Sequence, residues 1–157
     1  MLIDLGIDPA TTAAPFADSA LADIEDMIHL PLPADYVEHL RKHNGGKPRR
    51  RYFRVGRNEK VIERFLCIVA DYKKDPNGEF DLGVVWSDVA DRMEDRLVPF
   101  ASLFAGDYLC FDYQSSKANP KVVVWDHELS RVGRVTQHAV ADSFEEFLSL
   151  LTDKPAE

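Results

Sequence analysis

Three consecutive residues, Asp126, His127 and Glu128, are the strongest candidates for chemistry in this sequence. Two carboxylates and an imidazole are groups that bind metal ions or transfer protons in general acid–base catalysis. They directly follow the apolar residues 122–125, whose composition is typical of a strand. Because neighbouring strand residues point to opposite faces, Asp126 and His127 should not share one site. The spacing therefore favours a polar strand end entering a turn over a metal or catalytic site.

Other potential ligands and nucleophiles lack the sequence context that their chemistry requires. His39 and His43 are four residues apart on a predicted helix, but Leu40 follows His39 where a zinc-binding helix would carry a glutamate. Cys67 and Cys110 lie in apolar runs, where burial raises rather than lowers the pKa of a thiol. The sequence contains neither a serine nucleophile motif nor a phosphate-binding glycine loop. We therefore expect no catalytic residue, no cofactor and no bound metal.

A basic segment runs from Lys47 to Arg57, with six basic residues and no acidic residue. Two interpretations remain open. Tyr52 and Phe53 lie among the arginines as in surfaces that stack bases, so the segment could recognise phosphate or an acidic partner. Alternatively it forms an exposed hairpin edge, where positive charge prevents pairing with another sheet. The sequence favours the hairpin edge.

The chain as a whole is acidic. Its 157 residues include 27 Asp and Glu against 19 Lys and Arg, a formal net charge of −8. Outside the basic segment 13 basic and 27 acidic residues remain, which leaves −14. This charge argues against general affinity for nucleic acid or anionic membranes, because both require clustered cations. It is compatible with a basic protein partner or with solubility alone. No stretch approaches the roughly 18 apolar residues of a membrane span, and no secretory signal pattern opens the chain, so we expect a cytoplasmic location.

Helices are predicted where apolar residues recur every three or four positions. They cover residues 17–28, a stretch from Pro33 to residues 44–46, residues 82–93, and a last element that starts at residue 143. Asp18 or Ser19 is the expected N-cap of the first helix, and residues 44–46 suit a left-handed C-cap of the second. Ser143 and Glu146 form a capping box, with the Glu146 carboxylate expected on the amide of Ser143.

Strands or extended segments are predicted at six places: residues 52–55, 65–72, 97–100, 108–113, 122–125 and 132–140. Together with the helices they predict an α+β fold with a mainly antiparallel central sheet flanked by helices. We expect a loose lead over residues 1–15, one domain over residues 16–152 and a tail over residues 153–157.

Four stretches, in this order, resemble motifs of the SUKH superfamily. They read LPADYVEHL followed by HNGG, VPFA leading into GDYLCFD, VVWDHE, and ADSFEEFL. The motif positions in this chain are Pro33, Tyr36, Asn44, Gly45, Gly46, Gly106, Ser143 and Phe144. The superfamily includes fungal Smi/Knr cell-wall regulators and many bacterial immunity proteins. The resemblance spans residues 17–151 and implies a SUKH-like α+β domain without catalysis.

The resemblance also implies a function and a set of contact residues. Bacterial members bind and neutralise a cognate toxin, often a nuclease, so we expect a non-catalytic immunity protein against a polymorphic or contact-dependent toxin. The residues that we expect at the partner are Asp107, Asp112, Tyr113, Trp125, Asp126, His127 and Glu128. Gly106 and Asp107 are expected to shape the turn into the central strand. We expect a monomer or weak homodimer, and the alternative function is a regulatory or scaffold protein of the Smi/Knr type.

Overall fold

The sheet is a six-stranded meander in which each strand pairs with the next along the chain. The computed structural model describes residues 3–130 and 136–155. The strands are β1 Tyr52–Val55, β2 Asn58–Phe65, β3 Leu97–Leu103, β4 Tyr108–Asp112, β5 Lys121–Trp125 and β6 Gln137–Ala141. The helices are α1 Asp18–Ile28, α2 Ala34–Lys42, α3 Leu82–Val89 and α4 Phe144–Leu150. All five pairs of neighbouring strands are antiparallel, which confirms the predicted fold class.

Both faces of the sheet are covered, and alternate strand residues serve the two sides. On one side the ring of Tyr36 from α2 lies 5.0 Å from the Phe111 ring and 5.2 Å from the Phe144 ring of α4. Phe111 in turn stacks on Phe100 of β3, with 4.3 Å between centroids. On the other side a smaller cluster contains Val89, Met93, Leu97, Cys110, Val123 and Trp125. The apolar runs of β4 and β5 therefore reflect burial on both faces.

Several predicted elements have different bounds in the structure. The strand expected at residues 65–72 is instead β2, Asn58–Phe65, and the buried residues 66–68 continue without joining a sheet ladder. Burial on all sides produces the same continuous apolar pattern as a central strand, so the two could not be distinguished by periodicity. The extended segment at residues 97–100 is the beginning of β3, Leu97–Leu103. The helix expected at residues 82–93 ends at Val89 and continues as a 3-10 turn.

The helix ends also differ from the expected caps. Ala17 is the N-cap of α1, without a side-chain hydrogen bond, in place of Asp18 or Ser19. In α4 the Ser143 hydroxyl accepts the Glu146 amide as predicted, at 3.1 Å. The Glu146 carboxylate, however, accepts the amide of Asp142, at 3.2 Å, instead of that of Ser143.

Gly45 and Gly46 do not cap α2, which ends at Lys42 with His43 in an extended conformation. Their φ angles are +80° and +98°, and other segments of the chain approach both residues closely. A Cβ on Gly45 would lie 2.8 Å from the Cβ of Cys67, and one on Gly46 would lie 2.9 Å from Ile7. Glycine is therefore required here for packing between segments, in a left-handed conformation that L side chains disfavour.

Residues 3–15 are packed, in contrast to the loose lead that we expected. Leu5 is buried, and its carbonyl accepts the amides of Arg49 and Arg50. At the other terminus Thr152 exchanges backbone hydrogen bonds with Tyr52 of β1. The basic segment thus forms backbone hydrogen bonds with both the N-terminal and the C-terminal part of the chain. Within the described ranges, no helix has the length and apolar character needed to cross a membrane.

The polar strand predicted at residues 132–140 overlaps β6, which begins at Gln137. Residues 131–135 of that prediction lie outside the described residues. The boundaries of the predicted domain, 16–152, stay a prediction.

Candidate functional site

The meander brings three strand connections to one end of the sheet, because alternate connections of a meander lie on the same side. They are residues 56–57 between β1 and β2, residues 104–107 between β3 and β4, and residues 126–130, which follow β5. We call these three segments together the hairpin end. It contains four of the residues predicted to contact a partner: Asp107, Asp126, His127 and Glu128.

Asp107 is the centre of the polar contacts at the hairpin end. Its Oδ1 accepts the backbone amide of His127 at 3.1 Å and lies 2.5 Å from Nδ1 of the same residue. Its Oδ2 lies 3.5 Å from Nζ of Lys60 in β2. Burial raises the pKa of Asp107, but the two hydrogen bonds from His127 and the charge of Lys60 outweigh burial and hold this pKa below its ordinary value. The carboxylate therefore joins three segments of the sheet.

The turn before Asp107 is fitted around the His127 ring. Ala105 and Gly106 both have positive φ, +75° and +97°. A Cβ on Gly106 would lie 3.1 Å from two atoms of the ring, so a larger residue would displace His127. Gly106 thus combines a left-handed turn conformation with close approach to a neighbouring side chain.

Asp126, His127 and Glu128 do not converge on one point. Oδ1 of Asp126 accepts the backbone amides of Glu128 and Leu129, each at 3.0 Å, and so caps its own turn. His127 instead contacts Asp107, and Glu128 is exposed. Among the residues that the structure describes, no group of three or more His, Cys, Asp or Glu side chains could hold a metal ion. This geometry matches the prediction that residues 126–128 are a polar strand end entering a turn.

The remaining three predicted contact residues are buried away from the hairpin end or beneath it. Asp112 accepts hydrogen bonds from Arg96 at 3.1 Å and Gln137 at 2.8 Å. The Tyr113 hydroxyl donates to the carbonyl of Pro31 at 2.7 Å, and burial raises its pKa. Trp125 has no exposed surface. These three side chains contribute to the packing of the sheet and are not exposed to solvent. Partner contact by any of the seven residues stays a prediction.

His127 should keep the pKa of Asp107 low. Replacing His127 with alanine removes the ring hydrogen bond, so the pKa of Asp107 should rise while burial continues to favour the neutral acid. Carbon-13 NMR titration of the carboxyl group measures this shift. The matched control is His29→Ala, at the exposed end of α1, which should leave the Asp107 titration unchanged. An unchanged titration in His127→Ala would contradict the assignment.

Sequence reasoning missed a second surface, which lies around α1. Met27 and Tyr72 are 45% and 51% exposed, and Trp86 of α3 is partly exposed. Met27 lines two clefts, of about 510 Å³ and about 520 Å³, the first beside residues 68–75 and the second beside Trp86 and the β4–β5 loop. We call the surface formed by Asp23, Met27, Tyr72, Asp75 and Trp86 the Met27 face. Its signal in the sequence is that Met27 lies outside the apolar stripe of α1.

Comparison with known proteins agrees with the four sequence motifs. The family model SUKH_6, described as SMI1-KNR4 cell-wall, matches residues 18–148. The chain belongs to the SMI1-KNR4 family. The resemblance to the SUKH superfamily is thereby confirmed, and the SMI1-KNR4 match includes every strand of the sheet, the hairpin end and the Met27 face.

A prophage-derived protein is also similar to this SMI1-KNR4 domain. It is the SPbeta prophage-derived uncharacterized protein YokK of Bacillus subtilis (strain 168). The two chains are 28% identical over 173 residues, which cover 99% of this chain and 82% of YokK. The similarity thus extends beyond the family match into both terminal segments.

Proposed function

We propose that this SMI1-KNR4 protein is a non-catalytic immunity protein that neutralises a cognate toxin by direct association. The observation that carries the proposal is the contrast between its two surfaces. At the hairpin end the carboxylate of Asp107 is already bound by His127 and by Lys60 of β2. On the Met27 face, large apolar side chains are exposed in acidic surroundings, as in protein-binding surfaces.

The cysteines fit a binding role rather than a catalytic one. Both are free and buried, and burial raises the pKa of Cys67 to about 12, so its thiolate is not populated near neutral pH. Burial likewise raises the pKa of Cys110 well above its ordinary value. Two unpaired thiols also suit a reducing compartment, which favours the cytoplasm as the site of action.

The charge suggests which toxins the protein would bind. A toxin that attacks nucleic acid needs cations to hold phosphates, and a protein of net charge −8 would attract it electrostatically. Such attraction raises the association rate and allows an inhibitor to occupy the phosphate-binding groove. We therefore favour a basic nuclease as partner and expect no binding to nucleic acid or membranes by this chain, which acts as a monomer or weak homodimer.

Co-expression with the product of the neighbouring gene tests this function. Cells that express the neighbouring protein alone should stop growing, and cells that also express this chain should grow, because the complex masks the toxin. Gel filtration should then recover a one-to-one complex. Continued growth arrest without a complex would contradict the proposal.

The family description favours one other function. A model described as SMI1-KNR4 cell-wall is also compatible with a regulatory or scaffold protein. Affinity purification from the native host distinguishes the two: a stable complex with a host regulatory protein, in cells where the neighbouring product is harmless, would favour the scaffold.

A further inference from the structure

The Met27 face carries an excess of negative charge. Asp23, Asp75 and Asp81 line the first cleft, and neither lysine nor arginine lines it among the described residues. Asp81 is buried, and its carboxylate accepts the amides of Val69 and Val84, which leaves Asp23 and Asp75 as the more accessible carboxylates. Lys73 and Lys74 follow Tyr72 in the chain and line neither cleft, although Nζ of Lys73 lies 5.9 Å from the centre of the Tyr72 ring. The second cleft combines one carboxylate with Arg96 and Lys117, of which Arg96 is already paired with Asp112 and Glu94.

Two carboxylates of α1 bond to other parts of the chain. Asp18 pairs with Arg41 at 2.7 Å, and Glu25 accepts the amide of Leu32 at 2.7 Å. Asp23 and Asp26 are both exposed. Asp23 lies one turn before Met27 on the same side of α1, so its carboxylate neighbours the apolar side chain, whereas Asp26 directly precedes Met27 and faces another direction.

The face is held in place by close packing of α1 on α3. Gly83 of α3 lies under α1, and a Cβ there would be 2.9 Å from Cδ1 of Ile24 and 3.3 Å from Cε of Met27. Ile24 is buried in the main core. Any residue larger than glycine at position 83 would therefore clash with α1, which shows how closely the two helices pack. This packing sets the position of α1, so the clefts exist before any partner binds. Preformed clefts reduce the conformational entropy lost on binding.

We propose that the Met27 face docks a positively charged segment of a partner protein, whose apolar side chains enter the two clefts beside Met27. The inference rests on the proposed function, since the partner in question is the toxin. Charge complementarity identifies the occupant: carboxylates on α1 and at the first cleft attract cations, while Met27 and Tyr72 require apolar contacts. Methionine suits such a surface because its unbranched thioether adapts to irregular partners.

Matched substitutions in the full chain test the surface. The probe is the protein encoded beside its gene, co-purified from cells that express both, with affinity measured by calorimetry. Met27→Lys should weaken binding about tenfold or more. It removes an apolar contact and adds a positive charge that repels the positively charged partner segment. Leu150→Lys, at an α4 position that is 43% exposed, is the matched control and should change affinity by less than about twofold.

A second pair of variants isolates the charge. Asp23→Lys should lower the association rate and flatten its dependence on salt, whereas Asp153→Lys in the exposed tail should alter the association rate much less. Thermal unfolding of each variant confirms that the fold is retained.

The possible results distinguish a failure of the docking inference from a failure of the proposed function. A wild-type complex whose affinity is unchanged by Met27→Lys and Asp23→Lys would overturn the docking inference and leave the proposed function standing. The same loss in the controls would also overturn the inference. Absence of a wild-type complex would overturn the proposed function together with the surface. A wild-type dimer that Met27→Lys dissociates in sedimentation would assign the face to a second copy of the chain and overturn the toxin assignment.

Discussion

Replacing Asn44 with alanine should lower the free energy of unfolding by about 3 kcal/mol. The Asn44 side chain is buried and makes three hydrogen bonds to backbone groups. Its amide nitrogen donates to the carbonyls of Ala14 and Ile68, each at 2.8 Å, and its Oδ1 accepts the amide of Ile68 at 2.9 Å. Alanine would leave both backbone groups of Ile68 buried without partners, and each such group costs about 1–3 kcal/mol.

Urea denaturation of the wild type and the Asn44→Ala variant measures this loss. Asn119→Ala, in the exposed β4–β5 loop, is the matched control and should change the free energy of unfolding by less than about 0.5 kcal/mol. A loss below 1 kcal/mol for Asn44→Ala would mean that water replaces the missing hydrogen bonds. The motif asparagine would then contribute little to joining the N-terminal segment to residues 66–68.

Acidification from pH 7 to pH 4 should destabilise the protein by about 3 kcal/mol through His39. Burial, together with the charges of His43 and Lys42, lowers the pKa of His39 to about 4. In the unfolded chain this pKa is about 6.5. Between these values the unfolded state binds a proton that the folded state does not, so stability falls by about 1.4 kcal/mol per pH unit. Above pH 6.5 and below pH 4 His39 adds no further slope.

Denaturation at several pH values between 7 and 4 tests this expectation. The His39 ring packs 5.2 Å from the Phe65 ring and 5.5 Å from the Phe144 ring, and its Nε2 has no hydrogen-bond partner among the described residues. His39→Leu should therefore remove most of the slope whatever its effect on stability at pH 7. His29→Gln, at the exposed end of α1, should retain the wild-type slope. Equal slopes in the two variants would show that other groups cause the acid sensitivity.

Elements with strong local patterns were predictable from the sequence. The apolar stripe of α1, the continuous apolar runs of β4 and β5, and the Ser143 cap of α4 all depend on residues close together in the chain. The α+β class followed from their order. The family motifs were equally readable, and the family match confirms them.

Other elements could not be predicted because distant residues decide them. Strand β2 reads NEKVIERF, a polar stretch that is a strand only because β1 and β3 pair with it on either side. Residues 66–68 have a stronger apolar pattern, but they lie buried outside the ladder. Residues 3–15 carry few local signals and are ordered by hydrogen bonds to the basic segment and to Asn44.

The candidate sites show the same division. Asp126, His127 and Glu128 attract attention in the sequence because they are consecutive, yet His127 contacts Asp107 twenty residues away and Asp126 caps its own turn. Met27 is marked in the sequence only by its position outside the apolar stripe of α1. Its first cleft lies between α1, which packs on Gly83, and residues 68–75, so it is visible only after folding.

The sequence by itself determined the net charge, the family motifs, the fold class and the elements whose periodicity is local. Tertiary structure decided which apolar runs are strands, why Gly45 and Gly46 must be glycine, and which polar side chains the fold uses. The physical reason is that periodicity and capping act over a few residues, whereas pairing, close approach and exposure depend on segments that are distant in sequence. Asp23 of α1 and Asp75 are likewise distant in sequence, and only the tertiary structure brings them to one cleft beside Met27.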